Sequence, residues 1–153
     1  MTDVIITSVH GSRLGLTDKG HLSGGISGRT RLTPFCVDAS ITVGAESSNA
    51  RAIAIQLKDA NGKDVTERTV VDVYVLADAN GDAIVGTGGS TGIAIGTDGA
   101  ILATVVAKKH FRVISEADGD IDLTWTDTGT EAAYLAVVLP TGRMVISSAL
   151  TNA

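Results

Sequence analysis

The 153-residue sequence is short of cysteine, proline and aromatic side chains, with one Cys, two Pro, two Phe, two Tyr and one Trp. Each scarcity excludes a class. The single Cys36 cannot form an internal disulfide, so this is not a small secreted domain held by disulfides. It reads as a small buried apolar residue, since no basic partner stands beside it in sequence to make it a nucleophile. Five scattered aromatics cannot supply the row of exposed platforms that a sugar- or base-binding face needs. No apolar run approaches the roughly 18 residues of a membrane span. A net charge of −5 with no concentrated basic face argues against nucleic-acid binding, where phosphates must be neutralised. The opening Met1–Thr7 lacks a basic segment followed by an apolar one and a small-residue cleavage site, so it does not read as a signal peptide, and assembly in a cytoplasm is expected.

What is present points to a folded all-β chain. The composition is 44% hydrophobic and 19% charged, which excludes intrinsic disorder. Eighteen Gly with abundant Val, Ile and Thr suit short strands joined by tight turns. Charge is unevenly spread. Residues 1–36 carry Arg13, Lys19, Arg29 and Arg31 against Asp3 and Asp18, a local balance of +2, while the remainder carries eight basic against fifteen acidic side chains, −7. Six glycines interrupt the first segment so often that no period survives. It reads as a glycine-rich, extended, weakly self-structured N-terminal arm; the alternative is one or two edge strands around Val4–Val9 and Arg29–Phe35 packed on the body.

From Val37 to Ala153 the pattern is regular. Ile53, Ile55 and Leu57 alternate with smaller or polar residues in Arg51–Lys58, and Val71, Val73 and Val75 alternate in Val70–Leu76. Ile101–Ala107 and Phe111–Ser115 read as strands separated by Lys108-Lys109-His110. Asp120–Thr126 sets Ile121, Leu123 and Trp125 on one face and two Asp and two Thr on the other, which makes Trp125 a core residue. Tyr134–Leu139 is apolar on both faces, as for a central strand, and Pro140-Thr-Gly142 leads into Arg143–Ser148. Asn61-Gly62, Asn80-Gly81, Asp98-Gly99 and Asp118-Gly119 are turn dipeptides that tolerate positive φ. Their spacing predicts an antiparallel β-sandwich of about seven to nine strands, and the low-complexity Gly86–Gly92 predicts a mobile loop at one end.

Chemistry is weakly signalled. Asp59, Asn61 and Asp64, then Asp78, Asn80 and Asp82, then Asp118, Asp120 and Asp122 could offer oxygens to calcium, but none closes a twelve-residue loop with a bidentate Glu, and turns want the same residues. Asp120 and Asp122 read as outward charges that deter edge pairing. His10, His21 and His110 are the only histidines, with no Gly-x-Ser-x-Gly elbow or His-Glu-x-x-His pair, so the chain reads as non-enzymatic. Gly24-Gly25-Ile-Ser-Gly28 and Gly86–Gly92 are glycine-rich like phosphate loops, yet neither ends in Gly-Lys-Ser/Thr nor opens a helix. No cofactor or metal is expected.

Two resemblances add to this. Asp127-Thr-Gly129-Thr-Glu-Ala-Ala-Tyr134 resembles the approach to the sixth strand of immunoglobulin-like domains, with a longer Gly-to-Tyr spacing and without the inter-sheet cysteines. The blocks Ala54–Asp64, Ile95–Gly99, Ser115–Asp122 and Val138–Arg143 resemble small structural proteins from the head-gene region of tailed bacteriophages, over residues 39–150 and excluding the arm. The resemblance implies a virion component, a decoration or cement protein on the capsid surface, with the major capsid protein as partner and self-association left open. The arm, through Arg13, Arg29 and Arg31, would then pair with carboxylates across subunit joints, ordering as it binds. The competing expectation is a receptor- or glycan-binding immunoglobulin-like module, a head fibre or tail-associated adhesin, contacting its ligand through Gly86–Gly92. An accessory domain of an enzyme is the third, disfavoured by the initiator Met1.

Overall fold

The computed structural model describes residues 36–152 in full and, before them, only the strand backbones within 5–7, 13–16, 21–24 and 28–31. The chain divides into two compact units, Met1–Pro34 and Phe35–Ala153. In the first, β1 (Ile5–Thr7), β2 (Arg13–Leu16), β3 (His21–Gly24) and β4 (Gly28–Arg31) pair in chain order as an antiparallel meander. Strands of three or four residues are too short to display a period, which is why the segment reads as an arm from its sequence.

The second unit is a β-sandwich of nine strands: β5 (Asp38–Ser47), β6 (Ala50–Lys58), β7 (Val70–Leu76), β8 (Gly92–Ile95), β9 (Ala100–Val106), β10 (His110–Ile114), β11 (Asp120–Thr126), β12 (Tyr134–Val138) and β13 (Met144–Ala149). One sheet runs β5-β6-β11-β8 and the other β13-β12-β7-β10-β9, each wholly antiparallel. The framework pairings of the immunoglobulin scheme are present: first with second strand, second with antepenultimate, third with penultimate, penultimate with last. The middle departs from it. After β7 the chain first adds β8 to the β11 edge and only then crosses to lay β10 and β9 beside β7.

The alternations explain the core. Ile53, Ile55 and Leu57 of β6 and Ile121, Leu123 and Trp125 of β11 face Val71, Val73 and Val75 of β7, Phe111 and Val113 of β10 and Leu135 and Val137 of β12, all buried in one cluster. Each fully buried side chain of this kind contributes about 1.5–3 kcal/mol of transfer free energy. Register fixes the faces: Ile121 opposes Ile55 and Leu123 opposes Ile53, so a slip of one residue by either strand would turn its own apolar row outward. Cys36 is buried as expected, and its thiol pKa is raised, chiefly by that burial. The expected turns also form, with φ of 73° at Gly62, 88° at Gly81, and 85° at both Gly99 and Gly119.

Two strands lacked a clear signal. In β5 the alternation of Ala39, Ile41 and Val43 is broken by a bulge before Glu46, and its hairpin to β6 turns through Ser48 and Asn49 at φ 53° and 62°, with no glycine to announce it. β8 is a four-residue strand that begins on Gly92, the last residue of the glycine run.

Candidate functional site

Arg13 in β2 opposes Thr7, Arg29 in β4 opposes Ser23, and Arg31 opposes His21. Gly15, two residues after Arg13, opposes Ser23, so Arg13, Arg29 and Arg31 stand at register positions of one parity in the meander. Their side chains lie outside the described residues.

The glycine run Gly86–Gly92 is built differently from the free loop its composition suggests. The Glu131 carboxylate accepts the backbone N–H of Thr87 at 2.9 Å through Oε1 and those of Gly88 and Gly89 at 2.9 and 2.7 Å through Oε2. The Asp127 carboxylate accepts from Ser90, Gly129 and Glu131. Successive N–H groups turned to one point form an anion-binding nest, and here the chain supplies the anion itself. The carbonyls are held from the other side: Lys108 Nζ donates to Gly89 and Ser90, and Lys109 Nζ to Gly86. Glycine is required in this packing. A Cβ on Gly88, at φ +85°, would sit 2.7 Å from the Lys108 carbonyl oxygen, and one on Gly89 would sit 2.8 Å from both the Thr126 carbonyl oxygen and the Trp125 ring. The phosphate-loop likeness thus has a physical basis, but the cradle is filled by Glu131, and the same amides are not open to a ligand.

The corner leading into β12 follows from this. Where an immunoglobulin-like domain uses a Tyr hydroxyl, this corner is bonded by Asp127, buried at the end of β11, together with Asn152. The Asn152 side chain donates to the carbonyls of Asn49 and Asp127 at 2.7 and 2.8 Å and accepts from Arg51 Nε at 3.1 Å, tying the last residues to the β5–β6 turn. Arg51 also donates to the Thr151 carbonyl. Nothing in the local sequence signals this latch, because Asn152 lies 25 residues from Asp127 and about a hundred from Asn49 and Arg51.

The Asp and Asn clusters behave as turns. Asp59 Oδ1 accepts from Asn61 and Lys63, and Asp78 Oδ1 from Asn80, Gly81 and Asp82. These bonds hold both carboxyls below their ordinary pKa, led by the Lys63 amide at Asp59 and the Asp82 amide at Asp78. Among the described residues no group of three or more His, Cys, Asp or Glu side chains is placed to hold a metal ion. Asp120 and Asp122 do face outward, but on the side of β11 away from β6 the Asp122 backbone is bonded by Gly96 N–H and to the Asp98 carbonyl, just beyond the end of β8, so they guard no open sheet edge. Asp98 stands beside them instead: partial desolvation, then the fields of Asp122, Asp120, Asp118 and Glu116, raise its pKa. On the outer face of the other sheet, the His110 and Tyr74 rings stack at 4.0 Å while Asp72 bonds both His110 and Arg112. The Asp72 pKa is lowered, first by the Arg112 hydrogen bond.

No family model, curated protein or solved structure matches the chain.

Proposed function

We propose that the protein is a non-enzymatic virion structural component, a decoration or cement protein that binds the outer capsid lattice, with its N-terminal unit as the docking element and the major capsid protein as partner. The observation that carries this reading is the coincidence of a structural boundary with a change of charge: the chain divides after Pro34, and the balance of +2 before residue 37 becomes −7 after it. Three arginines at positions of one parity suit a carboxylate-rich surface, since each guanidinium pairs bidentately with a carboxylate. The acidic sandwich, with its loop amides taken by Glu131, fits a solvent-facing spacer better than a ligand-gripping module, which weighs against the adhesin reading. On this reading the protein is made in the bacterial cytoplasm and resides on the capsid surface, and it uses no cofactor.

The test replaces Arg13, Arg29 and Arg31 by Ala in the full chain and measures occupancy on capsids of the parent virus. Occupancy is expected to fall while the melting temperature holds, because truncating an interfacial charge pair costs about 2–5 kcal/mol whereas an ion pair formed at a protein surface contributes only about 0–1 kcal/mol to folding. Occupancy should also fall with salt, as charges at the rim of the contact are screened over about 8–10 Å near physiological ionic strength. Wild-type occupancy by the triple variant would remove the electrostatic anchor from the proposal.

A further inference from the structure

We propose that β9 is a self-association surface, on which a second copy of this chain packs its own β9 in antiparallel orientation. The inference concerns the sandwich alone and does not rest on the capsid reading.

Edge strands are templates for pairing, and proteins blunt them with charge, shortness or cover. Among the described residues, three of the four sheet edges are so protected. β5 carries Asp38 and Glu46, β8 has four residues, and β13 lies against β5, with Arg143 bonded to Asp38 at 3.2 Å across that side. β9 differs. Its seven residues, Ala-Ile-Leu-Ala-Thr-Val-Val, include no charge and no proline. Leu102, Val105 and Val106 are 53%, 55% and 48% exposed. The register against β10 steps twice, from Val106 to Thr104 and from Ala103 to Ile101, so the residues left without a partner are Val105 and Leu102. The two bulges therefore present apolar side chains, where a protective bulge would present polar ones.

Charge at the strand ends selects the occupant and its direction. Asp98 precedes β9 and stands with Asp118, Asp120 and Asp122, while Arg68 engages Glu116. Lys108 and Lys109 follow β9, and their amines bond carbonyl oxygens. The strip is thus acidic at one end, apolar along its length and basic at the other. Such a surface is self-complementary under a two-fold axis, which sets each lysine pair beside the Asp98 of the other copy; a parallel arrangement would stack the acidic ends. One strand from each copy makes a small interface, so the association is a weak one.

The experiment is sedimentation equilibrium of the full chain over a concentration series reaching the millimolar range, with thermal melts alongside. The wild type is expected to dimerise, and Leu102→Lys and Val105→Lys each to weaken association by about 10-fold or more with the melt preserved. If either Lys variant loses its melt, Leu102→Thr and Val105→Thr take its place, because Thr removes apolar contact and keeps β propensity. Orientation is read from charge: Asp98→Lys weakens the dimer, and Lys109→Glu in the same chain restores it. A wild type monomeric throughout overturns the proposal, as does a dimer indifferent to both apolar substitutions. A charge exchange that fails to restore association overturns the antiparallel arrangement.

Discussion

β9 and β11 are each seven residues long and only one strand apart in the chain, yet their burial is opposite to their polarity. β11 contains two Asp and two Thr and buries every second side chain completely, with Ile121, Leu123 and Trp125 at 0%, 1% and 0% exposure. β9 has no charged residue, and only Ile101 is drawn toward the core. The cause is position. β11 is hydrogen-bonded on both sides, by β6 and β8, so its inward face is roofed completely; β9 is paired on one side only and is stepped out of register twice. Period and place in the sheet decide burial, and apolar content by itself does not.

The largest expected effect breaks the better-buried partner of this comparison. Trp125→Ala should destabilise by about 3–5 kcal/mol, the range for deleting a large aromatic from a core. Its ring also closes on the Gly89 position, so the glycine run should loosen with it. Chemical denaturation measures the first effect, and amide hydrogen exchange at residues 87–90 the second. A change below 1 kcal/mol would show that β11 is not the wall of the core.

Next comes the end of β11 that the glycine run covers. Glu131→Ala removes the acceptor of three backbone N–H groups, two of them on buried glycines. The expected cost is about 1–3 kcal/mol, since water can replace only part of what the carboxylate supplies. Glu131→Gln, which keeps one acceptor oxygen, should cost less. Equal losses from both variants would mean that side-chain packing, and not the cradle, holds the loop.

The difference between these elements also marks what could be read from the sequence. Strands with undisturbed alternation, β6, β7 and β11, were legible with their faces, and so were the Asx-Gly turns, because both signals are local. β5 was obscured by its bulge and its glycine-free turn, and the four strands of the N-terminal unit by their shortness. The glycine run was legible as irregular but not as anchored, because its anchor lies some forty residues downstream. Glu131 and Asn152 carry no local signature; their roles exist only once the chain has folded. The three arginines are visible as a charge imbalance, and the register adds that their positions share one parity.

A smaller effect concerns the acidic turn that joins the two strands' environments. Asp98 has a raised pKa, so protonation is favoured in the folded state and its carboxylate opposes folding once ionised. Asp98→Asn is therefore expected to raise the melting temperature at neutral pH, an advantage that fades as pH falls through the folded-state value. Asp78 has the reverse sign. Its pKa is lowered by its backbone N–H partners, so its contribution is present above the ordinary carboxylate value near about pH 4 and is lost on acidification. Asp78→Asn should thus lower the neutral melting temperature and flatten the acid limb. Melts recorded from acid to neutral pH separate the two, and slopes of the same sign in both variants would contradict the assignment.

The smallest expected effect falls on β9 itself. Leu102→Thr and Val105→Thr, read at concentrations where the chain is monomeric, should shift stability by no more than about 0.5 kcal/mol, the scale of surface substitutions away from special features. Both side chains are more than half exposed, at 53% and 55%, and both occupy bulge positions with no opposing residue on β10. Thr retains the β-branch that suits a pleated edge, so strand propensity does not mask the result. The contrast with Trp125→Ala is then about an order of magnitude between two strands of equal length. A loss of 2 kcal/mol or more at either position would show that the β9 edge packs on the molecule's own surface, and its exposed apolar strip would no longer be open to a second copy.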